Sequence, residues 1–305
     1  MSVLLDAALL LERVATRVPP SLRDKVVVVG SIAAAWHFRD VSGSAAVATK
    51  DIDLLLRPSV DAVATARALG QGLVDEGWRP TYPPGWSPAG STSPTEELPA
   101  LRMSPPDGQE SWFIELLAEA PVGQIERKHW ARFRTAAGDF ALPSFRFMRV
   151  AVHDPEVTPS GLRVARPASM ALAHLLEHAD PDRTPISGLE GRPPRFVKDV
   201  GRAVAMWWLA GRQSPLAEQA WLADWSAAAG ACLAAQSVDT SGSTPAMRAR
   251  ISLEALEGVQ RESHAIAVRS LLAPHQVSFA AWRRAHQTLG EVVARWEADD
   301  AASPP

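Results

Sequence analysis

A single cysteine, Cys232, stands among 305 residues. No internal disulfide can form, so the fold has to rest on its core, as reducing cytosol requires. No run of 18 apolar residues occurs, which excludes a membrane-spanning helix. Met1 to Asp6 has no basic n-region and Asp6 interrupts its apolar stretch, so no signal peptide is expected. Charge of one sign is also missing. Lys+Arg 31 against Asp+Glu 34 leaves a net charge of −3, too balanced for a global nucleic-acid-binding field. There is no internal repeat. What remains is a 47% hydrophobic, 21% charged chain, long enough for one large or two ordinary domains, each with its own core. A cytoplasmic globular protein with no membrane partner is expected.

Residues 3–18 place apolar side chains at helical spacing, and Pro19-Pro20 stops that helix. Val26-Val27-Val28-Val29 is β-branched and too short for a helix, so it reads as a buried strand. Gly30-Ser31 and an Ala-rich helix from Ile32 to Phe38 follow; Asp51–Leu56 (DIDLLL) reads as a strand and 59–76 as a helix. This alternation is an α/β pattern. Eight of the 25 prolines fall between Pro80 and Glu110, a loop-rich window. Inside it, Leu101-Arg102-Met103 and Ser111–Leu117 read as strands joined by the turn Pro106-Asp107-Gly108. Residues 140–166 suggest short extended pieces. Beyond Pro167 helices are expected near 168–179, 195–211, 215–236, 246–271 and 277–298. The expected organisation is an α/β domain over 1–160, followed by an all-helical domain over 161–305.

Asp51 and Asp53 are two residues apart on the predicted strand. Period 2 puts both carboxylates on one face, with Cβ atoms about 7 Å apart, and sends Ile52 and Leu54 into the core. Like charges held that close repel unless a cation lies between them, and hard oxygen ligands suit Mg²⁺. Glu115, among Ile114, Leu116 and Leu117 on a second strand, supplies a third carboxylate if the two strands are neighbours. Such a triad brackets the attacking and leaving oxygens of a phosphoryl transfer with two divalent ions. Gly30-Ser31 at a helix start allows close backbone approach, offers free N–H groups to a phosphate, and provides a Ser31 cap. Either motif alone is common in proteins without such a site; their order here, with a later strand-borne Glu, sets this chain apart.

These residues carry a resemblance. VVVVGSIAAAWHF followed by VATKDIDLLL resembles the nucleotidyltransferase superfamily that includes DNA polymerase beta and kanamycin nucleotidyltransferase. Ala48 to Leu55 (ATKDIDLL) is most similar to the AbiEii/AbiGii-type and MenT-like toxins of toxin–antitoxin pairs. The resemblance spans roughly residues 25–120 and continues weakly over 161–211. It implies a nucleotidyltransferase fold with a mixed sheet, Mg²⁺ or Mn²⁺ as cofactor and an NTP substrate. It also implies an RNA (tRNA) or protein acceptor and an antitoxin partner. By resemblance, Gly30 and Ser31 hold the triphosphate and Asp51 and Asp53 ligate the metals. Glu115 is then the third ligand or activates the acceptor hydroxyl, and Lys198-Asp199 match a later nucleotide-binding K-D. His174 departs from the pattern, standing near where a lysine falls.

Other readings stay open. The same donor site serves a small-molecule (antibiotic-type) transferase or an inactive scaffold. His174-Leu-Leu-Glu177-His178 is a literal H-x-x-E-H zinc-peptidase signature, with Glu254 as a possible third ligand. Between 121 and 150, six cations (Arg127, Lys128, Arg132, Arg134, Arg146, Arg149) outnumber two acids, Glu126 and Asp139. That excess reads as an RNA footprint or as a solvated amphipathic face. Trp207, Trp208, Trp221 and Trp225 read as helical core. Trp86 and Trp112 lie nearer the presumed cleft, where core packing competes with stacking on a base.

Overall fold

The computed structural model describes residues 4–43, 45–82, 92–106, 108, 112–124, 126–181, 183–186, 191–233 and 243–302. Strand β1 (Leu4–Asp6) leads into helix α1 (Ala7–Arg17), and β2 (Val26–Val29) into α2 (Gly30–His37) and a short α3 (Arg39–Ser42). Next come β3 (Ala46–Ala48), β4 (Asp51–Leu56), α4 (Ser59–Asp75), β5 (Arg79–Pro80), β6 (Arg102–Ser104) and β7 (Phe113–Ala118). A hairpin of β8 (Lys128–Thr135) and β9 (Gly138–Phe145), then α5 (Met148–Ala151), β10 (Glu156–Val157) and β11 (Arg163–Val164), complete the mixed part. The remainder is helical: α6 (Pro167–Glu177), α7 (Arg195–Gln213), α8 (Ala217–Leu233), α9 (Pro245–Leu256), α10 (Gln260–Ala267) and α11 (Phe279–Ala302).

The chain is therefore mixed α/β, with a mixed sheet and a helical C-terminal region. Nine strands form one sheet in the order β10-β11-β2-β4-β7-β6-β5, with β9 branching from β7 and carrying β8. β2 runs antiparallel to β4, whereas β4 and β7 run parallel. The boundary expected near residue 160 falls in the hairpin between β10 and β11, and β11 pairs in parallel with β2. The helical region packs back through α6, which contacts both α2 and α5. One apolar cluster runs from Ala7 to Trp296, joining sheet and helices. No helix among the described residues is long and apolar enough to cross a membrane.

Three local expectations change. The first helix begins at Ala7 because Asp6 accepts hydrogen bonds from the Ala8 and Leu9 N–H groups, 2.9 and 3.0 Å. The three residues before it pair with β3 instead. The helix expected over 246–271 is two helices, parted by a 3-10 turn at Glu257–Val259 that contains Gly258. The basic stretch, read as an RNA footprint or a solvated amphipathic face, lies on and around the β8–β9 hairpin, and its cations are engaged within the chain. Arg127 pairs with Glu177 at 2.8 Å, Arg134 with Asp139 at 2.7 Å and Arg149 with Glu119 at 3.3 Å. Arg132 donates to the Ser93 carbonyl, while Lys128 and Arg146 sit over the Phe145 and Phe147 rings. Trp221 and Trp225 pack edge-on or tilted in a buried row with Trp207 and Trp296, as core.

Candidate active site

β4 and β7 share one burial pattern. The alternating first half of each strand is open on one face, and the last three residues are covered on both. In register, Asp53 lies beside Glu115 on β7 and beside Val29 on β2. The condition on which the third carboxylate depends, neighbouring strands, is thus met. Ile52 and Leu54 are fully buried on the opposite face, and that burial holds Asp51 and Asp53 on the open one.

Gly30 follows Val29 directly, so the chain leaves β2 opposite Asp53 and turns across its side chain. Gly30 has φ +74°, and a Cβ built on it would lie 2.5 Å from Asp53 Oδ2. Both the left-handed backbone and the missing side chain are required here. Ser31 is buried in the first turn of α2. Contrary to expectation it does not cap the helix, which starts one residue earlier without a side-chain cap.

Burial raises the Asp53 carboxyl well above its usual range, and the charges of Asp51 and Glu115 add to the rise; Arg202 and Lys198 oppose it. Asp51 meets the same burial but stays below the usual value, because the Thr49 hydroxyl, Lys198 and Arg202 favour its charge. Glu115 Oε2 accepts from Arg102 Nε at 2.8 Å across the β6–β7 pair. Among the described residues no three His, Cys, Asp or Glu side chains converge as a metal-binding group. The donor set nonetheless fits a divalent cation. It consists of hard carboxylate oxygens on one face of two adjacent strands, one of them pressed toward its neutral form by the other two.

On α7, Lys198 and Asp199 separate. Lys198 turns its charge on Asp51, while Asp199 is buried and takes a hydrogen bond from His178 Nε2 at 3.1 Å. Arg127 Nη2 lies 3.0 Å from His178 Nδ1; an arginine only donates, so Nδ1 accepts and Nε2 carries the proton. Both ring nitrogens are therefore engaged, Glu177 pairs with Arg127, and Glu254 pairs with Arg250 at 2.7 Å. The zinc-peptidase arrangement does not assemble. Burial holds His174 neutral, its pKa down to about 3, with Arg202 adding to the effect and Asp199 opposing it.

Sequence reasoning missed Arg202. It lies four residues after Lys198, hence on the same helix face, and its charge reaches Asp51, Asp53 and His174. It supplies a cation where His174 does not. Trp112 is core: it is buried, edge-on to Trp78 and under the Arg13 guanidinium. Trp86 lies outside the described residues.

Asp199 has a structural signature with a testable consequence. Despite burial, the His178 hydrogen bond and the Lys198 charge hold its carboxyl well below the usual 3.8. Its stabilisation is present above 3.8 and is lost as pH falls below it. Asp199→Ala is expected to cost about 2–3 kcal/mol at pH 7. The deficit against wild type should shrink under acid, and any NTP binding per folded molecule should be unchanged by the substitution. Thermal melts at two pH values alongside NTP titration check this, and a variant as stable as wild type overturns it.

No family model matches the chain, and no curated protein or solved structure matches it either.

Proposed function

We propose that this chain is a metal-dependent nucleotidyltransferase of the polymerase-beta-like superfamily, most like the AbiEii/AbiGii-type and MenT-like toxins. It moves an NMP group from an NTP to an acceptor and releases pyrophosphate. The observation that carries the reading is Gly30, φ +74°, against Asp53 Oδ2 with Glu115 in register alongside. A phosphate-approach turn and a carboxylate pair are thereby one structure rather than two separate motifs. The chemistry supplied by Mg²⁺ or Mn²⁺ bound there is charge neutralisation and in-line alignment of the phosphoryl oxygens.

The chain's own residues divide the work. Asp51 and Asp53 hold the cation. Glu115, once parted from Arg102, completes the set or orients the acceptor hydroxyl. Gly30 and Ser31 turn backbone N–H groups to the triphosphate. Lys198 and Arg202 neutralise its charge, and rate comes from positioning and electrostatics rather than a covalent intermediate. Lys198→Ala and Arg202→Ala are each expected to raise the KM for NTP about tenfold or more, each removing a charge-assisted contact. Steady-state kinetics check this, and an unchanged KM in both removes them from the site.

The acceptor classes are an RNA end such as tRNA, a protein (the chain itself or an antitoxin), and a small hydroxylated molecule. Purified protein with each α-³²P-labelled NTP, Mg²⁺ and total bacterial RNA separates them by whether label enters RNA, protein or neither. An Asp51/Asp53 double-alanine control belongs beside it. A scaffold reading has one observation in its favour: Arg102, Lys198 and Arg202 already compensate the three carboxylates. Absence of both transfer and Mg²⁺-dependent NTP binding selects it.

A further inference from the structure

Helix α2 has a second end. Its N-terminus lies against Asp53, and about 12 Å away, at eight residues of 1.5 Å rise, His37 lines a cleft of ≈ 210 Å³. The cleft lies between the C-terminal ends of α2 and α7, the start of α6, and α8. Phe38, Leu216 and Trp221 give it apolar walls, and its charged groups are Glu156, Arg166 and Asp224.

Those charges are unequally satisfied. Arg166 is already committed, donating from Nε to the Asp154 carbonyl at 2.8 Å and from Nη2 to its carboxylate at 3.0 Å. Asp154 adopts a left-handed backbone, φ +43°, at that anchor. His37 contributes no charge at neutral pH, because burial carries its pKa down to about 4 despite the nearby Ala165 carbonyl. Its Nδ1 is 3.5 Å from Glu156 Oε2, and its Nε2 is buried without a hydrogen-bond partner among the described residues. Asp224 forms no hydrogen bond or ion pair with a described residue, and burial raises its carboxyl above the usual value although Arg166 opposes this. The cleft thus holds two carboxylates facing a neutral ring and an occupied arginine.

We propose that this cleft binds a small organic cation, a primary ammonium on a short apolar arm. The ammonium is shared by Asp224 and Glu156, and the arm lies against Phe38, Leu216 and Trp221. The ammonium supplies three donors, where Asp224 has no described partner and Glu156 has only His37 Nδ1 at 3.5 Å, and a charge opposite to that of both carboxylates. The volume, that of roughly seven waters at about 30 Å³ each, admits an arm of about six carbons. A neutral ligand of the same shape would gain only the apolar contact. The inference does not depend on the nucleotidyltransferase reading.

The test is calorimetric titration of the full chain at pH 7 with n-hexylammonium chloride and, as the uncharged match, n-hexanol. One-to-one binding of hexylammonium at least about tenfold tighter than hexanol is expected, a tenfold factor being about 1.4 kcal/mol. Asp224→Asn and Glu156→Gln should each erase most of that preference while leaving hexanol binding in place, and retained hexanol binding shows that the cleft is still folded. Asp53→Asn should leave it intact. Equal binding of amine and alcohol, or no binding of either, overturns the proposal. So does a preference untouched by both cleft variants, or one lost in Asp53→Asn, which would place the amine among the β4 and β7 carboxylates.

Discussion

Asp53→Asn is expected to abolish nucleotidyl transfer, by about 10³-fold or more, and at the same time to raise the thermal stability of the chain. The loss follows from removing the carboxylate that lies against Gly30 and between the charges of Asp51 and Glu115. Losing one group that fixes charge in a pre-organised site typically costs about 10²–10³, and under the proposed function the metal would be lost with it. The gain follows from the charges that surround Asp53. It is buried and repelled by Asp51 and Glu115, and Lys198 and Arg202 only partly offset this. An amide keeps the shape and drops the charge. A rise on the order of 2 °C corresponds to about 1 kcal/mol in a chain of this size.

The pH dependence gives the sign independently. A carboxyl raised in the folded state favours folding while it is protonated, below its ordinary value of 3.8, and loses that contribution as pH rises through the folded value. Wild type and Asp53→Asn should therefore melt together in acid and separate above 3.8, with the variant higher. Melting curves without metal, beside the transfer assay, measure both halves. A variant that is less stable at pH 7, or one that still transfers, sinks this account of Asp53.

The second large effect is at Gly30, where one added methyl acts twice. Alanine at φ +74° carries left-handed strain of about 1–2 kcal/mol. Its Cβ would also stand 2.5 Å from Asp53 Oδ2, so the carboxylate must move. A displacement of about 1 Å at a reacting centre costs on the order of 10²-fold. Gly30→Ala should thus lose both stability and transfer. The two causes separate in the Asp53→Ala background, where the colliding oxygen is gone. There Gly30→Ala should cost only the backbone strain, leaving a clear non-additive difference in melting. Strict additivity would mean that Gly30 and Asp53 do not press on one another.

The same pair of residues marks how far the sequence reads. Val26–Val29 and Asp51–Leu56 occur as strands with the bounds their patterns predict, because β-branched runs and period-2 alternation are local properties of the chain. The one-face placement of Asp51 and Asp53 follows from the same period, and the helices past Pro167 from apolar spacing. Spacing cannot say which strand lies beside which. That Glu115 stands level with Asp53 depends on a parallel pairing of residues 62 apart in sequence, with strand register set by both strands' buried halves. Lys198 and Asp199 look like one motif in the chain. Successive helical residues point about 100° apart, and only the packing of α6 on α7 sends one toward Asp51 and the other to His178.

Arg202 shows the limit most plainly. Its spacing from Lys198 was visible, but a cation four residues from another is ordinary on a solvated helix. Only the tertiary structure turns that face toward buried carboxylates. The six cations of 121–150 went the other way. A free charge excess in sequence, they are spent in the fold on Glu119, Glu177, Asp139, a backbone carbonyl and two aromatic rings. Local periodicity and backbone chemistry are written along the chain, and they determined the elements and the faces. Charge compensation is decided between distant segments brought together by burial, and it existed only once the sheet and the helices had packed.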